Sequence, residues 1–204
     1  MKNFAVGTSL AKTESILIAI LGTFFFSSPL NAWGYVSVLI GSAGLVFASQ
    51  WKVSLADKAN FNSLSYGLSA GLGFALASLW IRSASLSLAV GPIPSAAAVL
   101  LYMVVLQSLI CFLWIVLKEP EQLNLIKNNF NACLFIGFTG VAGSVGWFTA
   151  MSLQNAALVK TLGQVEFIIG LLITYFYFKE RISRREYLGI VLIALSVFLI
   201  AGYT

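Results

Sequence analysis

The stretch Leu158–Phe178, LVKTLGQVEFIIGLLITYFYF, is long enough to cross a bilayer, and it carries Glu166 near its middle, with Lys160 and Gln164 one to two turns before it. A membrane-spanning helix needs about 17 to 25 predominantly apolar residues. A charge near the bilayer centre costs about 2.5–3.5 kcal/mol on insertion scales, so it persists where it faces a cavity, a partner or a pathway. The octet Ser9–Ile16 (SLAKTESI) reads as a second copy of Thr161–Ile168 (TLGQVEFI), which sets Glu14 opposite Glu166. Two carboxylates in matching positions of apolar segments point to transport.

Composition fixes the solvent. Of the 204 residues 59% are hydrophobic and 9% charged, against about 25% charged in a soluble domain. The chain is therefore expected to be integral to a membrane. The net charge of +5 comes from basic residues scattered between apolar runs, not from a basic face with interleaved aromatics, so no nucleic-acid partner is expected. There is no histidine, Asp57 is the one aspartate, and no carboxylates lie at ligand spacing. This pattern argues against an enzyme, a metal site or a bound cofactor. Cys111 and Cys133 lie in or beside apolar runs without CxxC spacing, and are expected to be small buried hydrophobes with no disulfide.

Seven stretches approach spanning length: about Ala5–Phe26, Trp33–Gln50, Leu64–Ile81, Ser95–Leu117, Ala132–Ser152, Asn155–Phe178 and Tyr187–Tyr203. The expected fold is an all-α polytopic bundle of about seven transmembrane helices. Pro29 breaks the first connection, Gly91, Pro92 and Pro94 break another, and Lys118–Asn131 is charged and Asn-rich. Lys12 and Glu14 interrupt what would be the apolar core of a signal peptide, so the first segment is expected to remain in the protein.

An offset of 152 positions aligns Asn3–Asn31 with Asn155–Ser183 without a gap, matching Glu14 with Glu166, Leu10 with Leu162, Phe24 with Phe176 and Phe26 with Phe178. Three extra residues in the second copy then bring Gly34 opposite Gly189. Transporters are often built from such repeats, with the substrate site near the midplane where the repeats meet.

The segment Gly146–Gly202 resembles the last three helices of an EamA-type transporter of the drug/metabolite transporter superfamily: a penultimate helix ends in an aromatic run and the pair Glu180–Arg181, followed by Gly189 in the final helix. The resemblance implies ten helices in two inverted five-helix repeats. On that pattern residues 64–204 form a complete second repeat, 51–63 a polar linker, and 1–50 the last two helices of a first repeat lacking about three helices. The first copy departs from the pattern, with Ser28 and Pro29 where the second has Glu180 and Arg181. A start site placed too far downstream, a split gene and a remnant would each give such a sequence. Loop charges put Lys2, Lys52, Lys58, Lys118, Lys127, Lys179, Arg181, Arg184 and Arg185 on the side of the N-terminus and Arg82 on the other. The positive-inside rule thus predicts a cytoplasmic N-terminus, whereas the family topology, with its C-terminus inside, implies the reverse.

Gly163, Glu166, Gly170 and Thr174 fall on one helical face, small residues around one ionisable group, which suits a cavity. Glu166, Gln164, Lys160, Glu14 and Thr174 are the candidates for substrate or proton binding, with Glu166 exchanging a proton for a cationic group or holding helices together through Lys160. Gly137, Gly140, Gly143 and Gly146 recur every third residue, Gly67 and Gly71 form a GxxxG pair, and with Gly163 and Gly170 they are expected to pack helices. The expected function is secondary transport, as exporter or exchanger, of small polar or amphipathic metabolites by alternating access with proton coupling. The setting is the bacterial inner membrane, and the partners are the bilayer, a small-molecule substrate, protons, and a second copy or another chain supplying the absent helices. The alternative is a non-transporting remnant or assembly subunit.

Overall fold

The structure, a computed structural model, describes residues 13–48, 61–179 and 182–203. Lys2, Lys12, Lys52, Asp57, Lys58, Glu180 and Arg181 lie outside the described residues. The described chain is all-α, with helices α1 Glu14–Phe25, α2 Ala32–Ala48, α3 Phe61–Ser87, α4 Pro92–Lys118, α5 Glu121–Asn128, α6 Phe130–Leu153, α7 Ala156–Gly163, α8 Val165–Phe176 and α9 Arg184–Tyr203. Four stretches are long and apolar enough to cross a membrane: α4, α6, the combined α7–α8 stretch Ala156–Phe176, and Arg184–Gly202 of α9. α1 and α2 are shorter apolar helices. α3 covers the expected span Leu64–Ile81 but includes Arg82 and several serines, and falls outside that apolar set.

Two features depart from the expected layout. The stretch expected as one helix over Asn155–Phe178 is interrupted at Gln164, where Gln164 N–H donates to the Thr161 carbonyl (3.2 Å) and Phe167 N–H to the Gln164 carbonyl (3.0 Å). Both bonds span three residues instead of four, a local tightening of the kind that marks hinges inside helices. The charged loop Lys118–Asn131 contains α5. Glu121 in its first turn and Lys127 in its last complement the helix dipole, and Gln122 donates its amide to the Glu119 carboxylate.

The chain packs as two units, one drawn from Met1–Trp80 and Gln154–Thr204, the other from Ile81–Leu153. In the first, the most extensive helix pair is α2 with α9. A Cβ on Gly189 would stand 2.5 Å from both Cβ and N of Ala48 and 2.6 Å from the Gly44 carbonyl; one on Gly44 would stand 2.9 Å from the Ile193 nitrogen. The backbones themselves are thus in contact, which only glycine at these positions permits. Gly189 faces Ala48, Gly44 faces Ile193 and Gly41 faces Ser196, so the two helices run antiparallel. Leu45, Ala48 and Ile193 form the buried core of the crossing, and Phe167, Ile168 and Leu171 of α8 pack onto it.

After α1 and after α8 one residue takes a left-handed φ. Ser27 (φ 48°) and Lys179 (φ 55°) are the non-glycine residues with positive φ among the described residues, and they lie 152 positions apart, the offset of the internal match. Left-handed residues commonly end helices, and after α1 the Ser28 N–H donates back to the Gly22 carbonyl at 2.9 Å. The start of α9 is fixed by a capping box: Ser183 N–H donates to Glu186 Oε2 (2.6 Å) and Glu186 N–H to Ser183 Oγ (3.3 Å).

In the second unit α4 packs against α6. Arg82, half-buried, donates from Nη1 to the Met151 carbonyl at 2.5 Å, tying the end of α3 to the last turn of α6. Cys111 and Cys133, expected to be buried, are exposed on α4 and α6. They stand among leucine, isoleucine and phenylalanine side chains that are exposed as well, so the apolar surroundings are those of a lipid-facing surface.

Candidate functional site

Glu14 opens α1 and Lys160 lies in the last turn of α7. Their side chains form an ion pair, Nζ to Oε1 2.9 Å, with both side chains 20% exposed. One residue along α1, Ser15 is buried and hydrogen-bonds to the buried Ser42 of α2, Oγ to Oγ 3.0 Å. Gln164, buried at the α7–α8 break, donates from Nε2 to Ser15 Oγ at 3.4 Å. Thr161 and Ser196 are fully buried beside it. Gly41 of α2 lies opposite all three: a Cβ there would stand 2.7 Å from Thr161 Cγ2, 2.9 Å from Gln164 Oε1 and 2.9 Å from Ser196 Oγ. Four elements, α1, α2, the α7–α8 break and α9, thus converge on a polar cluster inside an apolar helix set.

Most of the hydroxyl protons in the cluster have defined destinations. Ser42 donates to the Val38 carbonyl (2.7 Å), Thr161 to the Ala157 carbonyl (2.8 Å) and Ser196 to the Ile193 carbonyl (2.8 Å). In the Ser15–Ser42 bond either hydroxyl can be the donor. The Gln164 carbonyl oxygen Oε1 is buried without a hydrogen-bond donor among the described residues. A buried polar atom left this way costs about 1–3 kcal/mol.

The base of α7 is held by Asn155. Its Oδ1 accepts from the Ala157 N–H (2.9 Å) as an N-cap, while its Nδ2 donates to the Ser28 carbonyl and to Ser28 Oγ, each at 3.0 Å. The turn after α1 is thereby stitched to the start of α7, at the end of that helix away from Gln164.

A family model described as the EamA-like transporter family matches residues 62–202, well over half of the chain. The chain belongs to the EamA-like transporter family. Neither a curated protein nor a solved structure matches it. Members of the EamA-like family are secondary transporters and not enzymes, and the chain is a multi-pass membrane protein of that family.

Within this EamA-like chain the expected site residues separate into two groups. Glu14, Lys160 and Gln164 come together in the polar cluster. Glu166 and Thr174 do not: Glu166 is exposed in the first turn of α8, off the Phe167–Ile168–Leu171 face that meets the core, and Thr174 spends its hydroxyl on the Gly170 carbonyl at 3.0 Å. Of the stripe, Glu166 and Gly170 are exposed, and Gly163 and Thr174 are half-buried. The expected packing glycines divide too. Gly67 and Gly71 are buried, whereas a Cβ on Gly137, Gly140, Gly143, Gly146 or Gly170 would meet nothing within 4 Å, so any close packing there involves a surface other than the described residues. Ser15, Ser42, Thr161, Ser196 and Gly41 escaped sequence reasoning. Serine and threonine are ordinary in membrane helices, and the signal available was their adjacency to Glu14 and Gln164 within the matched octets.

Proposed function

We propose that the chain transports small polar or amphipathic metabolites by alternating access, as an exporter or exchanger of the bacterial inner membrane with proton coupling. The observation that carries this reading is the convergence of the Glu14–Lys160 pair and the Gln164 polar cluster on an interruption in a spanning helix. Transporter sites are typically formed where spanning helices are discontinuous, and a charge pair inside a membrane segment is costly enough to imply a role. The pair is electrically neutral as a unit, so the cluster can be alternately closed and opened without stranding a charge. Glu166 lies two residues past the break, at the start of α8. We assign it the proton-exchanging role: any tilt of α8 about Gln164 carries its carboxylate between environments while α7 stays anchored through Asn155.

The repeat reading, with residues 1–50 as the end of a first repeat, 51–63 as a linker and 64–204 as a second repeat, draws support from three correspondences. α1 (Glu14–Phe25) and α8 (Val165–Phe176) agree in extent within one residue at the 152 offset. The left-handed turn residues Ser27 and Lys179 obey the same offset. Gly41 and Ser196, matched at the 155 offset that pairs Gly34 with Gly189, face each other across antiparallel helices. A twofold axis in the membrane plane brings matched residues together in this way, and inverted repeats are related by such an axis.

The experiment is reconstitution into vesicles carrying an entrapped pH indicator, presented with a metabolite extract. Glu166→Gln is expected to insert and fold as wild type yet lose substrate-dependent proton movement; unchanged proton movement overturns its role. A second reading, that the chain acts as an assembly subunit beside another copy or chain, is favoured by the open surface around Gly137–Gly146. It predicts no flux from the chain reconstituted alone.

A further inference from the structure

We infer that α5 (Glu121–Asn128) is a membrane-surface helix, lying in the plane of the bilayer with its apolar side in the boundary between lipid headgroups and acyl chains. With 3.6 residues per turn, Leu123, Leu125 and Ile126 fall on one half of the helix and Glu121, Asn124, Lys127 and Asn128 on the other. Gln122, within the apolar half, donates its amide back to the Glu119 carboxylate. No residue of α5 is buried and Leu125 is 62% exposed, so the apolar half has no protein cover among the described residues. An isolated helix shorter than about 12–15 residues is marginal in water. Eight residues without a buried side chain therefore draw their order from another apolar phase.

The connections of α5 place that phase. Glu119 and Pro120 separate it from α4, and Asn129 separates it from α6. Even fully extended, such short connections keep both ends of α5 within about 11 Å of the spanning helices. α4 and α6 pack together, and both are long and apolar enough to cross the bilayer. Tied at both ends to one membrane face, a helix about 12 Å long lies along that face. Amphipathic helices so placed bury their apolar side about 5–10 Å into the headgroup–acyl boundary. Charge favours that boundary over anionic headgroups as the partner: Lys118 and Lys127 are balanced by Glu119 and Glu121. The segment has no net charge to attract anionic lipid, and apolar contact carries the interaction.

The test is spin labelling of the full chain in lipid nanodiscs, on a Cys111→Ala/Cys133→Ala background, with Asn124→Cys, Leu125→Cys, Ile126→Cys and Lys127→Cys added singly. Collision rates of each label are measured with oxygen, which partitions into lipid, and with a water-soluble nickel chelate. The oxygen-to-nickel ratio at positions 125 and 126 is expected to exceed that at 124 and 127 about threefold or more, as for a helix at the boundary. The same ratios are expected in phosphatidylcholine discs with and without phosphatidylglycerol. Equal ratios at all four positions would return α5 to water and overturn the assignment, as would a pattern that needs the anionic lipid. Low collision rates with both reagents at 125 and 126 would put a second copy or another protein on that side, and overturn it too. Should a labelled variant fail to fold, hydrogen exchange of the unsubstituted chain in the same discs carries the test. The Leu125 and Ile126 amides are expected to exchange about tenfold or more slowly than in an unstructured chain; exchange at the unstructured rate overturns the assignment.

Discussion

Glu14 and Lys160 stand 146 positions apart in the chain and 2.9 Å apart in space. Removing one partner breaks the ion pair in an apolar setting, and breaking a fully buried pair costs about 3–5 kcal/mol. With both side chains one-fifth exposed, Glu14→Gln or Lys160→Met is expected to destabilise by about 2–3 kcal/mol, toward or below the low end of that range. The double substitution should recover at least half of the loss. Denaturation of the four proteins in mixed micelles gives the cycle, and additive losses would show that the two groups do not interact.

The glycines of the α2–α9 crossing should separate sharply from those of α6. Gly189→Ala puts a methyl 2.5 Å from the Ala48 backbone. The helices have to part, at a cost of about 3 kcal/mol or more, the upper end for overpacking. Gly140→Ala meets nothing within 4 Å, and is expected to lie within about 0.5 kcal/mol of wild type, as for surface substitutions, or slightly above it, since alanine favours helix. Thermal unfolding followed by circular dichroism distinguishes the two, and a comparable loss for both would mean that α6 is packed as closely as α9.

Asn155→Ala removes an N-cap together with two hydrogen bonds to Ser28. Cap loss alone costs about 1 kcal/mol, and the bonds to Ser28 add about 1 kcal/mol. Asn155→Asp keeps the cap acceptor and loses the donor, so it should fall between alanine and wild type. Hydrogen exchange at the Ala157 and Val159 amides should report the change, with the largest rise in Asn155→Ala; unaltered exchange would remove Asn155 as the anchor of α7.

Arg82→Leu deletes the charged donor to the Met151 carbonyl. Hydrogen bonds from charged groups contribute about 1.5–3 kcal/mol, and the loss should appear as fraying of the last turn of α6. Faster hydrogen exchange confined to residues near Met151 and Ser152 is the expected result. Uniform acceleration over the whole of α6 would contradict so local a role.

The apolar helical character of α1 and of the α7–α8 stretch was legible in the sequence because hydrophobic run length is a local property of the chain. The same local signals marked Gln164 and Lys160 as unusual, since a polar group in an apolar run is conspicuous whatever it touches. They could not say that Glu14 would meet Lys160 and that Glu166 would be exposed. Matched residues occupy equivalent places on their own helices, but α1 lies against α7 while Glu166 stands on α8 beyond the break. Nor could run length foresee the interruption at Gln164, which coincides with the side-chain bond from its amide to Ser15, 149 positions away. The sequence by itself determined a polytopic helical membrane protein with an EamA-like second half, because the bilayer forces apolar runs of fixed length. Only the tertiary structure decided which polar groups meet. That depends on helix rotation and approach, and both are set by backbone contacts such as Gly44 with Gly189, which no single segment contains.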